Sequence, residues 1–238
     1  MFPIEVQTID TGDNGVALGS VTKTITVPSL PDLVMYVTAV AADSVTAMTF
    51  GGTALTKIVE DTDGDGKASI WRLTDPTPST ATLSISMSSI SSTFGVFLCP
   101  NVDTSSTPED TYGNTSGAGA AAALSITTTK PNDLIIAAVS SGLGATVSPD
   151  TGMNQVTPIS GACTGNAGYQ YAVTPGTQAI AWTLGGSANI SSVALAVKHL
   201  KEIDQRDSEL TGTTEPSISS VTQDDAVISL VWTYDATP

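Results

Sequence analysis

The segment Val45-Thr46-Ala47-Met48-Thr49-Phe50-Gly51-Gly52-Thr53-Ala54-Leu55-Thr56-Lys57-Ile58 is followed by an acidic turn, by Ala68-Ser69-Ile70-Trp71-Arg72-Leu73-Thr74-Asp75-Pro76, and by Ala81-Thr82-Leu83-Ser84-Ile85-Ser86-Met87. Apolar and polar residues alternate with period two between Gly, Pro and Asp punctuation, the pattern of consecutive antiparallel strands. In the last piece Ala81, Leu83, Ile85 and Met87 share one face and Thr82, Ser84 and Ser86 the other. Such alternation belongs to a strand with one wet face, so the stretch predicts an antiparallel sheet packed on one side.

Outward from this segment, composition points the same way. The chain has 238 residues, enough to bury a core without staples. Only 13% of residues are charged, so Ser, Thr, Ala and Gly must fill the surface, which favours strands and tight turns over Glu/Lys-faced helices. The formal charge of −15, with Lys and Arg totalling 8 and never clustered, argues against nucleic acid and against an anionic membrane surface as partners. The most apolar run, Leu33 to Ala42, is too short to span a bilayer, so no membrane insertion is expected. Met1-Phe2-Pro3-Ile4-Glu5 lacks the basic and apolar regions of a signal peptide. Cys99 and Cys163 are too few for a disulfide framework and read as two free thiols.

Along the chain, residues 1–23 read as a lead-in arm with one edge strand. Strands follow from Thr24, with Leu33 to Val40 apolar on both faces and therefore central. The pattern then recurs about a hundred residues on. Ile25-Thr26 and Asp32-Leu33-Val34 match Ile126-Thr127 and Asp133-Leu134-Ile135. Trp71 and Leu73 match Tyr171 and Val173, and Leu83 and Ile85 match Trp182 and Leu184. Phe94, Val96 and Leu98 match Val193, Leu195 and Val197. Shared order at offsets of 99 to 101 predicts similar halves, 24–102 and 125–200, joined by a Ser/Thr/Gly/Ala-rich linker or surface loop, 103–123. The two halves could make two small sandwiches or one sandwich of two sheets; one β-sandwich over 24–200 is preferred, because each half alone has rather few large residues to cover a thin sheet, and Trp71, Tyr171 and Trp182 are then its core aromatics. Residues 201–238 form a C-terminal extension. His199 to Asp207 is the one candidate short helix, with His199 read as a surface residue, and Val227 to Tyr234 is an orphan strand presenting Ile228, Leu230, Trp232 and Tyr234 on one face.

The Gly51-Gly52-Thr53-Ala54-Leu55-Thr56 turn, the apolar strand bearing Trp71 and the turn from Pro76 to Ala81 resemble the jelly-roll or lectin-like β-sandwich domains of tailed-phage virion proteins and bacterial surface proteins. The closing strands 180–184 and 193–197 are similar to the end of that family, and the resemblance covers about 24–200. It implies an all-β jelly-roll-like sandwich and a noncatalytic structural role, such as head decoration, fibre or filament subunit. It carries no catalytic residues over.

For chemistry, Asp61-Thr62-Asp63-Gly64-Asp65-Gly66 is the sharpest signal. Alternate carboxylates on a Gly-bent loop can converge on calcium, with Asp61, Asp63 and Asp65 as ligands. Arg72 stands where an EF-hand needs its bidentate Glu, and the flanks are strands, so the rival reading is an acidic hairpin turn. Glu109-Asp110, adjacent in a strand, would point apart and make a poor acid/base pair. The expected function is therefore assembly, as a virion or extracellular homo-oligomer or with other virion or filament subunits, with the 228–234 face adding to a neighbour's sheet or folding back on its own. A glycan-binding or adhesive module, calcium-dependent and centred on Tyr112 and the Asp61–Asp65 loop, is the alternative.

Overall fold

The computed structural model describes residues 7–14, 20–62, 66–87, 92–141, 146–150, 152–159 and 164–199, which include no helix. Nine strands come from the first half: β1 (Gln7–Asn14), β2 (Ser20–Val27), β3 (Val34–Ala41), β4 (Val45–Phe50), β5 (Thr53–Ala54), β6 (Thr56–Asp61), β7 (Lys67–Thr74), β8 (Ser79–Met87) and β9 (Ser92–Cys99). The second half supplies β10 (Glu109–Thr128), β11 (Leu134–Ser141), β12 (Val147–Pro149), β13 (Asn154–Ile159), β14 (Thr164–Tyr171) and β15 (Gly176–Val197). All pairings are antiparallel. The expectation of an all-β antiparallel sandwich built from two similar halves holds.

The pairing is nested, as in a long hairpin rolled up on itself. In the first half β1 pairs with β9, β2 with β8, and β3 with β7, giving an inner sheet β1-β9-β3-β7-β6 and an outer sheet β2-β8-β4-β5. In the second half the same hairpin is unbroken. Strand β10 pairs with β15 from Glu109↔Val197 to Gly119↔Ala188, bulges, and continues from Ala121↔Thr183 to Thr128↔Gly176. The first stretch edges the inner sheet β10-β15-β11-β14-β13, and the second folds over as an outer layer with β12. The type of each turn follows from its residues: Gly51 and Gly52 take φ of 56° and 85°, a conformation costly for any side chain with a Cβ.

Three cores result, stacked in one direction. Met35, Val37, Trp71, Leu83 and Ile85 fill the first half's sandwich, and Ile135, Ala137, Ile180, Trp182 and Leu184 fill the second's. Val34, Tyr36, Ile70 and Phe97 meet Leu134, Ile136, Leu195 and Val197 between the two inner sheets. The inner strands β3, β9 and β11 are accordingly buried at every position, which explains why they are mainly apolar on both faces. Approach is closest at Gly165, where a Cβ would lie 2.2 Å from Val40 Cγ1. Each half closes its own two layers, and the halves pack back to back around the third core.

Several sequence equivalences shift by one residue or more. Val34 and Leu134 both face the shared core, while their partners Cys99 and Val197 end β9 and β15, so the structural offsets are 100 and 98. A one-residue slip turns a strand's whole face over. The matched Asp32 and Asp133 are therefore not equivalent; Asp32 corresponds to Asn132, and both hold positive φ, at 44° and 66°. Tyr171 is not a core aromatic. It is 36% exposed, and the place of Trp71 (paired with Val37) is taken by Gly168 (paired with Ala137), beside Met153. Bulk moves instead to the outer layer at Trp182, fully buried.

The edge strand expected in the lead-in arm is β1, which edges the inner sheet, while β2 edges the outer one; the join 103–123, read as a linker or surface loop, becomes from Glu109 the longest edge strand among the described residues. A linker reading failed there because Gly, Ala, Ser and Thr carry little strand preference of their own, and the strand is set by its long pairing with β15. Trp182→Ala and Trp71→Ala should each cost about 3–5 kcal/mol of stability, read by denaturant unfolding. Trp182→Phe, which drops an indole N–H that has no acceptor among the described residues, should cost less than about 1.5 kcal/mol.

Candidate functional site

The side chains that could carry chemistry fall into three groups, and the strand pattern decides where each lies. The first spans the shared core. Glu109 opens β10, and its side chain points the opposite way from Asp110, as adjacent strand residues must. Buried at 5% exposure, its carboxylate accepts from the Tyr36 hydroxyl at 2.9 Å and from Arg72 Nη1 at 2.6 Å. Burial, reinforced by the Glu109 charge, raises the Tyr36 pKa well above its usual value, so the phenol remains a neutral donor. Arg72, the residue that spoils the EF-hand pattern, is thereby committed to a latch between the halves.

The second group ties down the connection and the end of β15. Asp133 Oδ1 lies 3.1 Å from His199 Nδ1, and Oδ2 accepts the backbone N–H groups of Thr129 and Lys130 at 3.1 and 2.8 Å. Burial opposes the charged carboxylate, but the His199 hydrogen bond and then the Lys130 N–H outweigh it and hold the pKa below the ordinary range. His199 was expected at the surface; it is 3% exposed, because Val102 bridges it and Asp133 supplies its polar partner. Lys130 Nζ donates to the His199 carbonyl at 3.0 Å, closing the cluster. Asp110 meanwhile bonds Thr129 Oγ1 at 2.7 Å. A His/Asp pair so placed positions backbone.

The third group is the acidic turn. Asp61 ends β6 and is 3% exposed, while Asp63 and Asp65 lie outside the described residues. No group of three potential ligands converges among the described residues. Both stems of the turn are held by the second half: Asn114 Nδ2 donates to the Glu60 carbonyl at 3.4 Å and Ser191 Oγ to the Gly66 carbonyl at 2.6 Å. Tyr112 is 61% exposed and lies on Asn114's face of β10, two residues before it.

Two open hollows remain. A groove of about 380 Å³ lies along Phe50, Gly51, Leu73, Pro76 and Ala81, with Asp75 as its one ionisable group. A notch of about 250 Å³ lies at the bend of β10. Neither brings two titratable side chains together. Cys99 is buried, and burial pushes its thiol far up, which makes it a poor nucleophile. Cys163, Ile228, Leu230, Trp232 and Tyr234 lie outside the described residues.

The chain matches no protein-family model, no curated protein and no solved structure.

The Asp133 cluster has a pH signature. A carboxylate whose folded pKa is depressed stabilises fully above its unfolded value, about 3.9, and loses that contribution as pH falls through the folded pKa. Asp133→Asn should lower stability at pH 7 by about 1–3 kcal/mol and flatten the decline of stability below pH 4, measured by urea unfolding across pH.

Proposed function

We propose that this chain is a noncatalytic structural subunit of a virion or other extracellular assembly, of the head-decoration, fibre or filament kind, joined to its neighbours by β-strand addition. The observation that carries the reading is β10, a twenty-residue edge strand that among the described residues pairs on one side only and bears no charge from Thr111 to Thr128. Open edges are normally blunted by charge, proline or cover, because they recruit other strands. We further infer that each half is a jelly roll, since first-with-last and second-with-next-to-last pairing is that connectivity. The buried carboxylates Glu109 and Asp133 hold layers and turns together, which suits a load-bearing body.

A second reading rests on exposed Tyr112 and on Asn114, two residues along β10, whose Nδ2 donates to the Glu60 carbonyl near the start of the acidic turn: a carbohydrate-binding or adhesive module, centred on Tyr112 and the Asp61–Asp65 loop, in which the loop takes up calcium. Calcium at one hundred times its Kd would add about 2.7 kcal/mol and raise the melting temperature. An unchanged melting curve in millimolar calcium, with no binding on a glycan array, eliminates this reading.

The assembly reading is tested by electron microscopy and solution mass on the full chain and on a chain ending at Lys201. Rings, filaments or discrete oligomers are expected from the full chain and folded monomers from the shorter one. Two monomers with identical melting would remove strand addition by the tail as the assembly device.

A further inference from the structure

Building on the assembly reading, we propose that the free side of β10 around its bend, residues 117–125, is the acceptor, and that the strand it takes is Ala226–Tyr234 of a neighbouring copy. The foot of this edge is already closed. Thr111 Oγ1 donates to the Thr127 carbonyl at 2.7 Å and accepts the Thr127 N–H at 3.2 Å, while Asp110 Oδ2 accepts the Thr129 N–H at 3.0 Å. Above that closure, no strand among the described residues pairs with the edge. The other long edges of the described residues carry blunting groups: Asp10 and Asp13 in β1, Lys23 in β2, Lys57 and Glu60 in β6, and Pro158 in β13. The edges in the same topological position thus differ in charge: β1 and β2 carry Asp10, Asp13 and Lys23, whereas β10 carries none from Thr111 to Thr128.

The bend also leaves room. The notch there, about 250 Å³, is lined by Gly117, Ala118, Ala121, Ala122 and Ile190, small residues that open toward the second half's outer core. Leu124, beside it, is the most accessible member of that core at 9% exposure. An added strand would extend the face of Ala122, Leu124 and Ile126 with large apolar side chains.

The tail fits this requirement in length, charge and pattern. Ala226 to Tyr234 is uncharged, lies between Asp225 and Asp235, and alternates Ile228, Leu230, Trp232 and Tyr234 on one face. The chain from Lys201 to Ala226 can extend roughly 80 Å, enough to reach the next copy. Copies each carrying a charge of −15 repel, so contact is favourable where an uncharged strand meets an uncharged edge. Pairing of two β10 edges directly would press two such bodies together, set Ala and Gly against each other, and leave the notch empty.

The test uses two full-length variants. Ala118→Lys/Ala123→Lys charges the edge at two exposed positions, and Leu230→Asp spoils the donor face. By sedimentation, wild type should be oligomeric and each variant alone monomeric, with unchanged far-UV circular dichroism. Mixing them one to one should restore a dimer, because an intact tail then meets an intact edge. Absence of that mixed dimer overturns the proposal, since edge–edge or tail–tail association cannot complement in this way. An edge variant that still assembles overturns β10 as acceptor and leaves the assembly reading standing. A Leu230→Asp variant that still assembles, while the edge variant does not, assigns the edge to another occupant. A monomeric wild type overturns both.

Discussion

The shared core between the two inner sheets is the constraint on which the rest of the structure depends. A sheet buried on one face can alternate polar and apolar residues, but β3, β9 and β11 are buried on both and are mainly apolar, with small hydroxyl residues (Thr38, Ser92, Thr93, Ser140 and Ser141) as their only polar members. Each half alone would expose Tyr36, Ile70 and Phe97, or Leu134, Ile136 and Leu195, at about 1.5–3 kcal/mol for each large side chain. The outer sheets depend on this in turn, since they cover the opposite faces of those same strands. It follows that the halves, although similar, fold as one body.

Burying that much sheet dictates how polar groups are used. Glu109 cannot sit between the halves uncompensated, and Tyr36 and Arg72 both point at it. Asp133 likewise stands at a strand start, where backbone N–H groups and His199 need an acceptor. Ser191 reaches Gly66 across the same interface. The polar residues that resemble catalytic pairs in sequence are in this way consumed by the packing, because a layered stack has many turns to fix and few charges with which to fix them.

Much of this was legible in the sequence, and what was not has physical causes. The alternation in 81–87 and the apolar run 34–41 announced a one-sided and a two-sided strand, as they are. Repetition was visible too, but residue-type matching aligned Trp71 with Tyr171 and Asp32 with Asp133, one residue or more out of step. Period-two faces make such an error invisible locally and decisive globally. The β10 segment was missed because a chain of Gly, Ala, Ser and Thr has little intrinsic strand preference, and the long partner β15 supplies it. Tyr36, Arg72 and Glu109 meet across sequence separations that no local pattern encodes.

The edges of the two halves differ in charge: Asp10, Asp13 and Lys23 lie on β1 and β2, while β10 from Thr111 onward has none. In the proposed assembly, an acceptor on one half without its twin on the other gives the molecule a direction. Strand donation from a tail at one place to an edge at another is heterologous, and heterologous contacts build rings or filaments according to whether the rotation between subunits closes. A self-complementary edge would stop at a dimer. The asymmetry between two halves of one fold is therefore the property that separates an open-ended assembly from a closed pair.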